Sequence, residues 1–331
     1  MTAQLSCYRE GDADSQALAG QRVVVAGYGN LGRPMALNLR DEGVEVLVAS
    51  RPDGDGERAA AEGFTVLPLE EGIAAGDVVW LALPDEVIPE LLAPTAPTRP
   101  APGSLVCLSS GYVLAYELVK LPDDVDAVLL APRMLGARLR PLYLSGEGFY
   151  SFVSVEQDAT GTAERRLLAL ARAVGALKRG GFRCSAAEEA ALDLFVEQSV
   201  GPQLGAALLA AFEVGTAQGL PPEALALELH MSGEMAATWQ AFADHGFFAG
   251  VRLHGHTSAF GGFVRLGDID VEAMKRRFAD TLEDIRSGRF ARRFQEELAA
   301  GSPTSELIDA MVSGDDPLSR AEAAVRGACG D

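Results

Sequence analysis

Short apolar runs alternate with amphipathic stretches of helical periodicity through the first half of the chain. Runs rich in β-branched residues are typical of buried strands, and the longer amphipathic stretches between them are typical of helices. This alternation predicts an α/β domain with a doubly wound parallel sheet that is covered by helices. The predicted strands cover residues 23–26, 44–49, 65–67, 78–83, 105–109, 125–131, 149–155 and 177–182.

The pattern changes after Cys184. Nearly all of residues 186–299 have helical periodicity, interrupted at Pro221-Pro222 and at the glycine-rich stretch 246–262, and residues 301–303 lead into a short polar tail. A chain of 331 residues exceeds the usual size of a single hydrophobic core. We therefore predict a flexible N-terminal arm over residues 1–20, the α/β domain over 21–183 and an all-helical domain over 184–331.

A glycine-rich turn follows the first predicted strand and opens directly into a helical pattern. A strand, a GxGxxG turn and a helix in this order form the dinucleotide-binding fingerprint. The first glycine permits the tight turn, the second leaves room for the pyrophosphate, and the third lets helix and strand pack closely. We expect a nicotinamide dinucleotide here, with a flavin site, a nucleotide site or an empty relic as alternatives. The turn consists of Gly27, Tyr28, Gly29, Asn30, Leu31 and Gly32.

The end of the second predicted strand bears on the choice between NAD and NADP. Many NAD enzymes place an acidic residue there to hold the ribose hydroxyls, whereas this chain has Ser50 and Arg51. A hydroxyl and a guanidinium suit the 2′-phosphate of NADP. The nearby carboxylates of Asp53 and Asp55 would repel that phosphate. We expect NADP and leave NAD open.

Charge and composition exclude several classes of protein. The chain carries 28 basic and 47 acidic residues, for a formal net charge of −19, so a nucleic-acid partner is not expected. The sequence contains neither an apolar span of membrane length nor a basic and apolar leader, which predicts a cytoplasmic protein without a membrane partner. Four scattered cysteines are expected to be reduced thiols, and we assign them no function.

Two carboxylates stand out in the helical half. Asp193 and Glu197 are four residues apart, which places them on one face of a helix, among apolar neighbours. A hard cation such as Mg²⁺ would relieve their mutual repulsion and takes oxygen ligands. A solvated acidic stripe is the alternative, and the spacing alone leaves both open.

These features carry a family resemblance over residues 22–301. The order and spacing of several segments make the sequence similar to the short-form ketol-acid reductoisomerases, the NADPH- and Mg²⁺-dependent enzymes of branched-chain amino acid synthesis. The matching segments are residues 27–29 with 37–41, 83–86, 131–132, 157–161, 193–195 with 197–198, and 284–288 with 290–291.

The resemblance implies a Rossmann-type N-terminal domain followed by a helical, intertwined dimerisation domain, and hence a homodimer. It implies that Asp193 and Glu197 are metal ligands and that Glu228 reaches the site from the partner subunit. It also places Leu83, Pro84 and Asp85 at the cofactor, because these residues match one of the family's segments.

The chain departs from the family pattern at several polar positions. Ser110 replaces the histidine of a Ser-His-Gly segment, and Arg133 replaces a lysine after Ala-Pro. Ser232 stands where the second glutamate of the partner's pair is expected, so one Mg²⁺ ion is expected rather than two. A substrate-binding serine is not evident near Gly255. Instead, His254 and His256 offer a possible acid/base pair or a loop with two solvated histidines.

These substitutions affect the two steps of the family's reaction differently. The alkyl shift needs two metal ions, whereas hydride transfer needs a positioned nicotinamide and a group that polarises the carbonyl. We therefore predict an NAD(P)H-dependent reductase of a small 2-keto acid, ketol or related imine that lacks the migration. Its candidate catalytic residues are Arg133, which would bind the substrate carboxylate, together with Glu197 and Ser110.

Three other functions remain open from the sequence. One is a genuine ketol-acid reductoisomerase that converts acetolactate to 2,3-dihydroxyisovalerate. Another is a dinucleotide-binding protein that has lost catalysis. The third is a metal-free imine reductase with Glu197 or His230 as its acid.

Overall fold

The computed structural model describes residues 5–250, 255–312 and 315–330. The chain divides into two compact units, residues 1–192 and 193–331. The first unit contains all nine strands described: β1 (Cys7–Tyr8), β2 (Val23–Ala26), β3 (Val46–Ala49), β4 (Thr65–Leu67), β5 (Val78–Leu81), β6 (Leu105–Leu108), β7 (Asp126–Pro132), β8 (Tyr150–Gln157) and β9 (Gly180–Arg183).

The nine strands form one sheet in the order β1-β9-β8-β7-β6-β5-β2-β3-β4. The pairings from β4 through β7 are parallel. Every residue of β2, β5 and β6 is buried, which requires cover on both faces because successive side chains point to opposite sides. The continuous apolar runs in the sequence reflect this double burial.

Helices of the first unit connect and cover the strands. Of these, α1 and α3 pack against β2 and β3, while α7 packs against β6, β7 and β8. A short 3₁₀ turn spans Glu10–Asp12. The helices are α1 (Gly32–Asp41), α2 (Gly54–Ala61), α3 (Leu69–Ala75), α4 (Ile88–Leu91), α5 (Tyr112–Ala115), α6 (Gly136–Leu144), α7 (Ala163–Ala173) and α8 (Ala176–Arg179).

The sheet differs from the predicted one in the direction of two strand pairings and in the start of its last strand. The pairings β7–β8 and β1–β9 are antiparallel. The connection from β7 to β8 passes through α6, which packs on α1 instead of crossing over the sheet, so the chain returns in the opposite direction. The strand predicted from residue 177 begins at Gly180, because residues 177–179 belong to α8.

The N-terminal segment also differs from the flexible arm that the sequence predicts over residues 1–20. Cys7 and Tyr8 pair with Phe182 and Gly181 at the edge of the sheet. Further along, Ala17 and Leu18 are buried in the main core. Main-chain hydrogen bonding and two apolar side chains thus fix most of the segment to the first unit.

The second unit contains only helices and turns among its described residues. Its elements are α9 (Ala186–Ala217), which begins in the first unit, α10 (Pro222–Ala226), a π-helical turn (Leu227–Met231), α11 (Glu234–His245), α12 (Phe247–Gly250), α13 (His256–Leu266), α14 (Val271–Arg286), α15 (Arg289–Ala299), α16 (Pro303–Val312) and α17 (Pro317–Cys329). No helix among the described residues has the length and apolar character needed to cross a membrane.

Two stretches of this unit are more helical than the sequence suggests. The glycine-rich stretch contains α12 and most of α13, and the expected polar tail forms α16 and α17. The first turn of α17 is capped by Asp316, whose side chain accepts hydrogen bonds from the N–H groups of Leu318 and Ser319. Its buried residues Ala321 and Val325 give it an apolar face, and α17 packs on α10.

A buried ion pair supports the start of β7. The carboxylate of Asp126 pairs with Arg166 and accepts hydrogen bonds from the N–H groups of Ala159 and Thr160 at 2.8 and 2.9 Å and from the Thr160 hydroxyl at 2.7 Å. Burial raises the pKa of Asp126, but these donors outweigh it and hold the pKa below its usual value. The family-like segment 157–161 therefore has a structural role at this carboxylate.

We predict that Asp126→Ala lowers the free energy of unfolding by about 3–5 kcal/mol, because it leaves Arg166 buried without a counter-charge. The control Asp124→Ala removes the exposed pair of Asp124 with Arg99 and should cost less than about 1 kcal/mol. Urea denaturation measures both.

The stability that Asp126 contributes also depends on pH. Because the folded pKa of Asp126 is depressed, this contribution to the free energy of unfolding is complete above the unfolded pKa of about 4 and disappears as pH falls through the folded pKa. Equal losses for the two variants at pH 7 would contradict the role of Asp126.

Candidate functional site

The candidate site lies at the carboxyl ends of the parallel strands. β2 is hydrogen-bonded to β3 on one side and to β5 on the other, so the order in which strands are added to the sheet reverses direction at β2. Ligands of doubly wound sheets bind in the crevice at such a switch point. The loops that follow β2, β5 and β6 and the residue after β7 all emerge at this edge.

The glycine turn after β2 is shaped by close main-chain contacts. Gly27 has φ +96°, and a Cβ there would lie 2.5 Å from the carbonyl oxygen of Ala82. A Cβ on Gly32 would collide with the carbonyl of Gly27. At Gly29 the nearest atom to a Cβ would be a carboxylate oxygen of Asp55 at 3.6 Å, an ordinary van der Waals distance. This uncrowded position, with an α1 N-terminus that no described side chain caps, fits a bound pyrophosphate, and the pairing of Asp55 with Arg58 reduces the negative charge beside it.

The other turn residues divide between the core and the surface. The side chain of Tyr28 is buried, and Leu31 packs against the same core cluster, whereas Asn30 is exposed. Tyr28, which is predicted to bind cofactor, could therefore meet it only through its main-chain atoms, whereas the side chain of Leu31 is partly exposed.

The loop after β3 contains the residues expected to recognise the ribose. Ser50 is buried, while the Arg51 side chain is 79% exposed, with Nε 3.6 Å from a carboxylate oxygen of Asp53. Asp53 also caps α2 by accepting hydrogen bonds from two main-chain N–H groups, and Asp55 pairs with Arg58. Both acidic residues are thus partly neutralised locally, which weakens their repulsion of a 2′-phosphate.

A cavity of about 580 Å³ adjoins this loop. Part of its wall is apolar, as the adenine of a dinucleotide requires. Among the residues that line it are Ser50, Arg51, Leu69, Val87 and Leu91.

The loops after β5 and β6 meet beside the glycine turn. A Cβ on Gly27 would lie 3.0 Å from a methyl carbon of Leu83, so this leucine borders the turn. The hydroxyl of Ser110 donates a hydrogen bond to Asp85 at 3.2 Å and accepts one from the N–H of Tyr112 at 3.2 Å. The structure therefore brings the candidate catalytic Ser110 together with the segment 83–85.

Glu189 is a site residue that the sequence reasoning missed. Its side chain is 1% exposed, and one carboxylate oxygen lies 2.7 Å from Nη2 of Arg133. The other oxygen accepts a hydrogen bond from the N–H of Gly111 at 2.7 Å. The Arg133 guanidinium also lies over the ring of Phe152, 5.0 Å from its centroid. Glu189 thus links the β6 loop to Arg133 and opposes the arginine's charge.

The carboxylates predicted as metal ligands lie in the second unit. Asp193 is half-buried and Glu197 exposed on α9, and Glu228 is exposed on the turn Leu227–Met231. Within the described ranges, no three or more His, Cys, Asp or Glu side chains are grouped so that they could hold a metal ion. Two carboxylates suit Mg²⁺ chemically, but they do not complete its octahedral shell.

The histidines take separate positions. His230 lies 2.7 Å from a carboxylate oxygen of Glu322 through Nε2. His256 is the exposed first residue of α13, and His254 lies outside the described residues.

Family models match both parts of the chain. Residues 17–180 match the acetohydroxy acid isomeroreductase, NADPH-binding domain, and residues 187–330 match the ketol-acid reductoisomerase, C-terminal domain. The chain belongs to the ketol-acid reductoisomerase family.

Individual ketol-acid reductoisomerases are similar over most of the chain. The NADP(+) enzymes of Kineococcus radiotolerans and Methanopyrus kandleri are each 36% identical to it, over 89% of the chain and over 86% and 89% of their own lengths. The solved structure of an NADH-preferring ketol-acid reductoisomerase from an uncultured archean superposes with a TM-score of 0.91 at 27% identity, covering 97% of this chain and 98% of that one.

Membership in the ketol-acid reductoisomerase family confirms the resemblance and the predicted fold, a Rossmann-type domain followed by a helical region. It also confirms an oxidoreductase.

We predict that Arg51→Ala weakens NADPH binding roughly tenfold and changes NADH binding less than about twofold, because only NADPH carries a 2′-phosphate for the guanidinium. The control is Arg165→Ala on α7, which removes an exposed ion pair with Asp14. Fluorescence titration with each dinucleotide measures the dissociation constants. Equal weakening of both cofactors by Arg51→Ala would contradict phosphate recognition by this residue.

Proposed function

We propose that the protein is an NADPH-dependent reductase of the ketol-acid reductoisomerase type, acting on a small 2-keto or ketol acid. The observation that carries this proposal is the shared sheet edge on which the glycine turn lies with Ser110 and Arg133. A bound dihydronicotinamide would supply a hydride to the substrate carbonyl carbon. NADH is a second candidate cofactor, and the NADH preference named for the solved relative supports keeping it.

Each site residue has a role that follows from its contacts. Arg133 would bind the substrate carboxylate through guanidinium donors, held in orientation by Glu189 and the ring of Phe152. Ser110, whose hydroxyl proton is donated to Asp85, would accept a hydrogen bond from a hydroxyl group of the bound ketol. Glu197 remains a proposed acid or metal ligand.

Two versions of the reaction remain, and the comparisons support one better. The relatives are named ketol-acid reductoisomerases, which favours the complete reaction from acetolactate to 2,3-dihydroxyisovalerate over the reduction without migration that the sequence alone suggests. One observation supports reduction without migration as the second candidate. Arg133 is ion-paired with a buried carboxylate and binds its proton too tightly to act readily as an acid.

A homodimer that binds Mg²⁺ is part of the proposal. In it, Asp193 and Glu197 of one chain and Glu228 of the partner subunit would contribute ligands. Support for a second copy comes from large apolar side chains that the second unit exposes, which a dimer interface would cover. They include Val214, Phe247, Phe248, Phe260 and Phe263.

NADPH and NADH oxidation by the purified protein tests the function. The substrates are acetolactate and the pre-formed intermediate 3-hydroxy-3-methyl-2-ketobutyrate, each with Mg²⁺ and with EDTA. We expect oxidation with the pre-formed 2-keto acid. Turnover of acetolactate as well would establish the complete reaction, and its absence would select reduction alone. Loss of activity in EDTA is expected if Asp193 and Glu197 hold an ion, and oxidation with neither substrate would contradict the proposal.

The variant Arg133→Lys separates the two versions further. A lysine cannot reproduce the planar guanidinium that Glu189 and Phe152 hold, so the KM for the 2-keto acid should rise about tenfold. Arg99→Lys, in an exposed ion pair, is the control. If Arg133→Lys gained acetolactate conversion that the unaltered protein lacks, the arginine would explain the missing migration.

A further inference from the structure

One carboxylate contacts a side chain within the glycine turn and another that directly follows the turn. The hydroxyl of Tyr28 donates a hydrogen bond to Oε2 of Glu62 at 2.5 Å. Arg33 donates to Oε1 of the same carboxylate from Nε at 3.0 Å and from Nη2 at 2.6 Å. Tyr28 precedes Gly29 and Arg33 follows Gly32, so the segment expected to hold the pyrophosphate lies between two residues that Glu62 joins.

The position of Glu62 is itself fixed. It is the C-terminal cap of α2, and its carbonyl accepts a hydrogen bond from Nη1 of Arg40 at 2.6 Å. The Arg40 guanidinium lies over the ring of Phe64, 4.5 Å from its centroid, and the ring of Tyr28 packs edge-on against the same ring at 5.6 Å. The main chain and a small aromatic cluster therefore hold the carboxylate against the turn.

Helix α2 connects Glu62 to the loop that is expected to recognise the ribose. The cap Asp53 lies two residues after Arg51, and Glu62 directly follows Ala61, the last residue of α2. One helix of eight residues thus connects the loop expected to recognise the ribose with the turn expected to hold the pyrophosphate.

The protonation states of Glu62 and Tyr28 favour a stable hydrogen bond between them. The hydrogen bond from Arg33 is the main cause that lowers the pKa of Glu62, and Tyr28 adds to it, so the carboxylate is ionised at neutral pH. Burial, with the hydrogen bond to Glu62, raises the pKa of Tyr28, which keeps its hydroxyl protonated as a donor. The negative charge of Glu62 is compensated by Arg33, which limits its repulsion of a nearby phosphate.

We propose that Glu62 is a positioning residue for the dinucleotide, holding the Tyr28–Arg33 segment in the conformation that presents the main-chain N–H groups of residues 29–32 to the pyrophosphate. The proposal rests on the proposed NAD(P)H binding. Glu62 does not touch the cofactor in this account, because it acts through Tyr28 and Arg33. We expect Glu62 to strengthen the binding only of ligands that contain the pyrophosphate.

Dissociation constants for NADPH and for 2′-AMP test the proposal on the full-length protein, with Glu62→Gln, Tyr28→Phe and the double variant. We expect each single variant to weaken NADPH binding about fivefold to tenfold, the loss typical of one or two hydrogen bonds, and 2′-AMP binding less than about twofold. The double variant should lose no more affinity for NADPH than the single variant that binds NADPH more weakly, because both changes disrupt the same hydrogen-bond network. Glu272→Gln, in an exposed pair with Lys275, is the control.

Several results would overturn the role of Glu62. Unchanged NADPH binding by folded Glu62→Gln would show that the carboxylate does not position the turn, and tighter binding would show that it only repels phosphate. Equal weakening of NADPH and 2′-AMP would indicate general structural damage. If Glu62→Gln fails to fold, Tyr28→Phe, which removes one hydroxyl, decides in the same way. Failure of the unaltered protein to bind either NADPH or NADH would instead contradict the proposed function.

Discussion

Contact between main-chain atoms at Gly27 and Gly32 is the constraint on which the cofactor half of the site depends. Any side chain at either position would displace the β5 loop or the turn itself. With these contacts, the N-terminus of α1 points into the crevice between β2 and β5, and Leu83 borders the turn. The helix amides then face the place where a pyrophosphate is expected.

The substrate half depends on a different interaction, the buried carboxylate of Glu189. It joins the N–H of Gly111 to the guanidinium of Arg133, and Gly111 in turn lies against the carbonyl of Ala186 at the start of α9. A buried charge of this kind is tolerated because it is paired and hydrogen-bonded. The β6 loop, the end of β7 and the first turn of α9 are thereby held together within the first unit, and Arg133 is held as an oriented anion ligand.

Sequence patterns predicted the parts of this fold that depend on local chemistry. Continuous apolar runs identified the buried strands, and the glycine turn identified the dinucleotide-binding fingerprint after the first of the parallel strands. Glu189 was not predicted, because its partner Arg133 lies 56 residues away and no local sequence pattern indicates their pairing. The edge strand Cys7–Tyr8 is made by main-chain pairing, which two residues of sequence do not encode. The role of Asp193, Glu197 and Glu228 stays a prediction, because one chain does not group them into a metal site among its described residues.

The central claim is that cofactor and substrate meet at the sheet edge between the glycine turn and Arg133. A crystal structure of the protein with NADPH and a non-reactive 2-hydroxy or 2-keto acid analogue tests this most directly. The account predicts pyrophosphate oxygens on the main-chain N–H groups of residues 29–32, the nicotinamide beside Ser110, and the analogue's carboxylate on Arg133 with the Glu189 pair intact. A dinucleotide bound away from the turn, or an analogue that leaves Arg133 untouched, would contradict it.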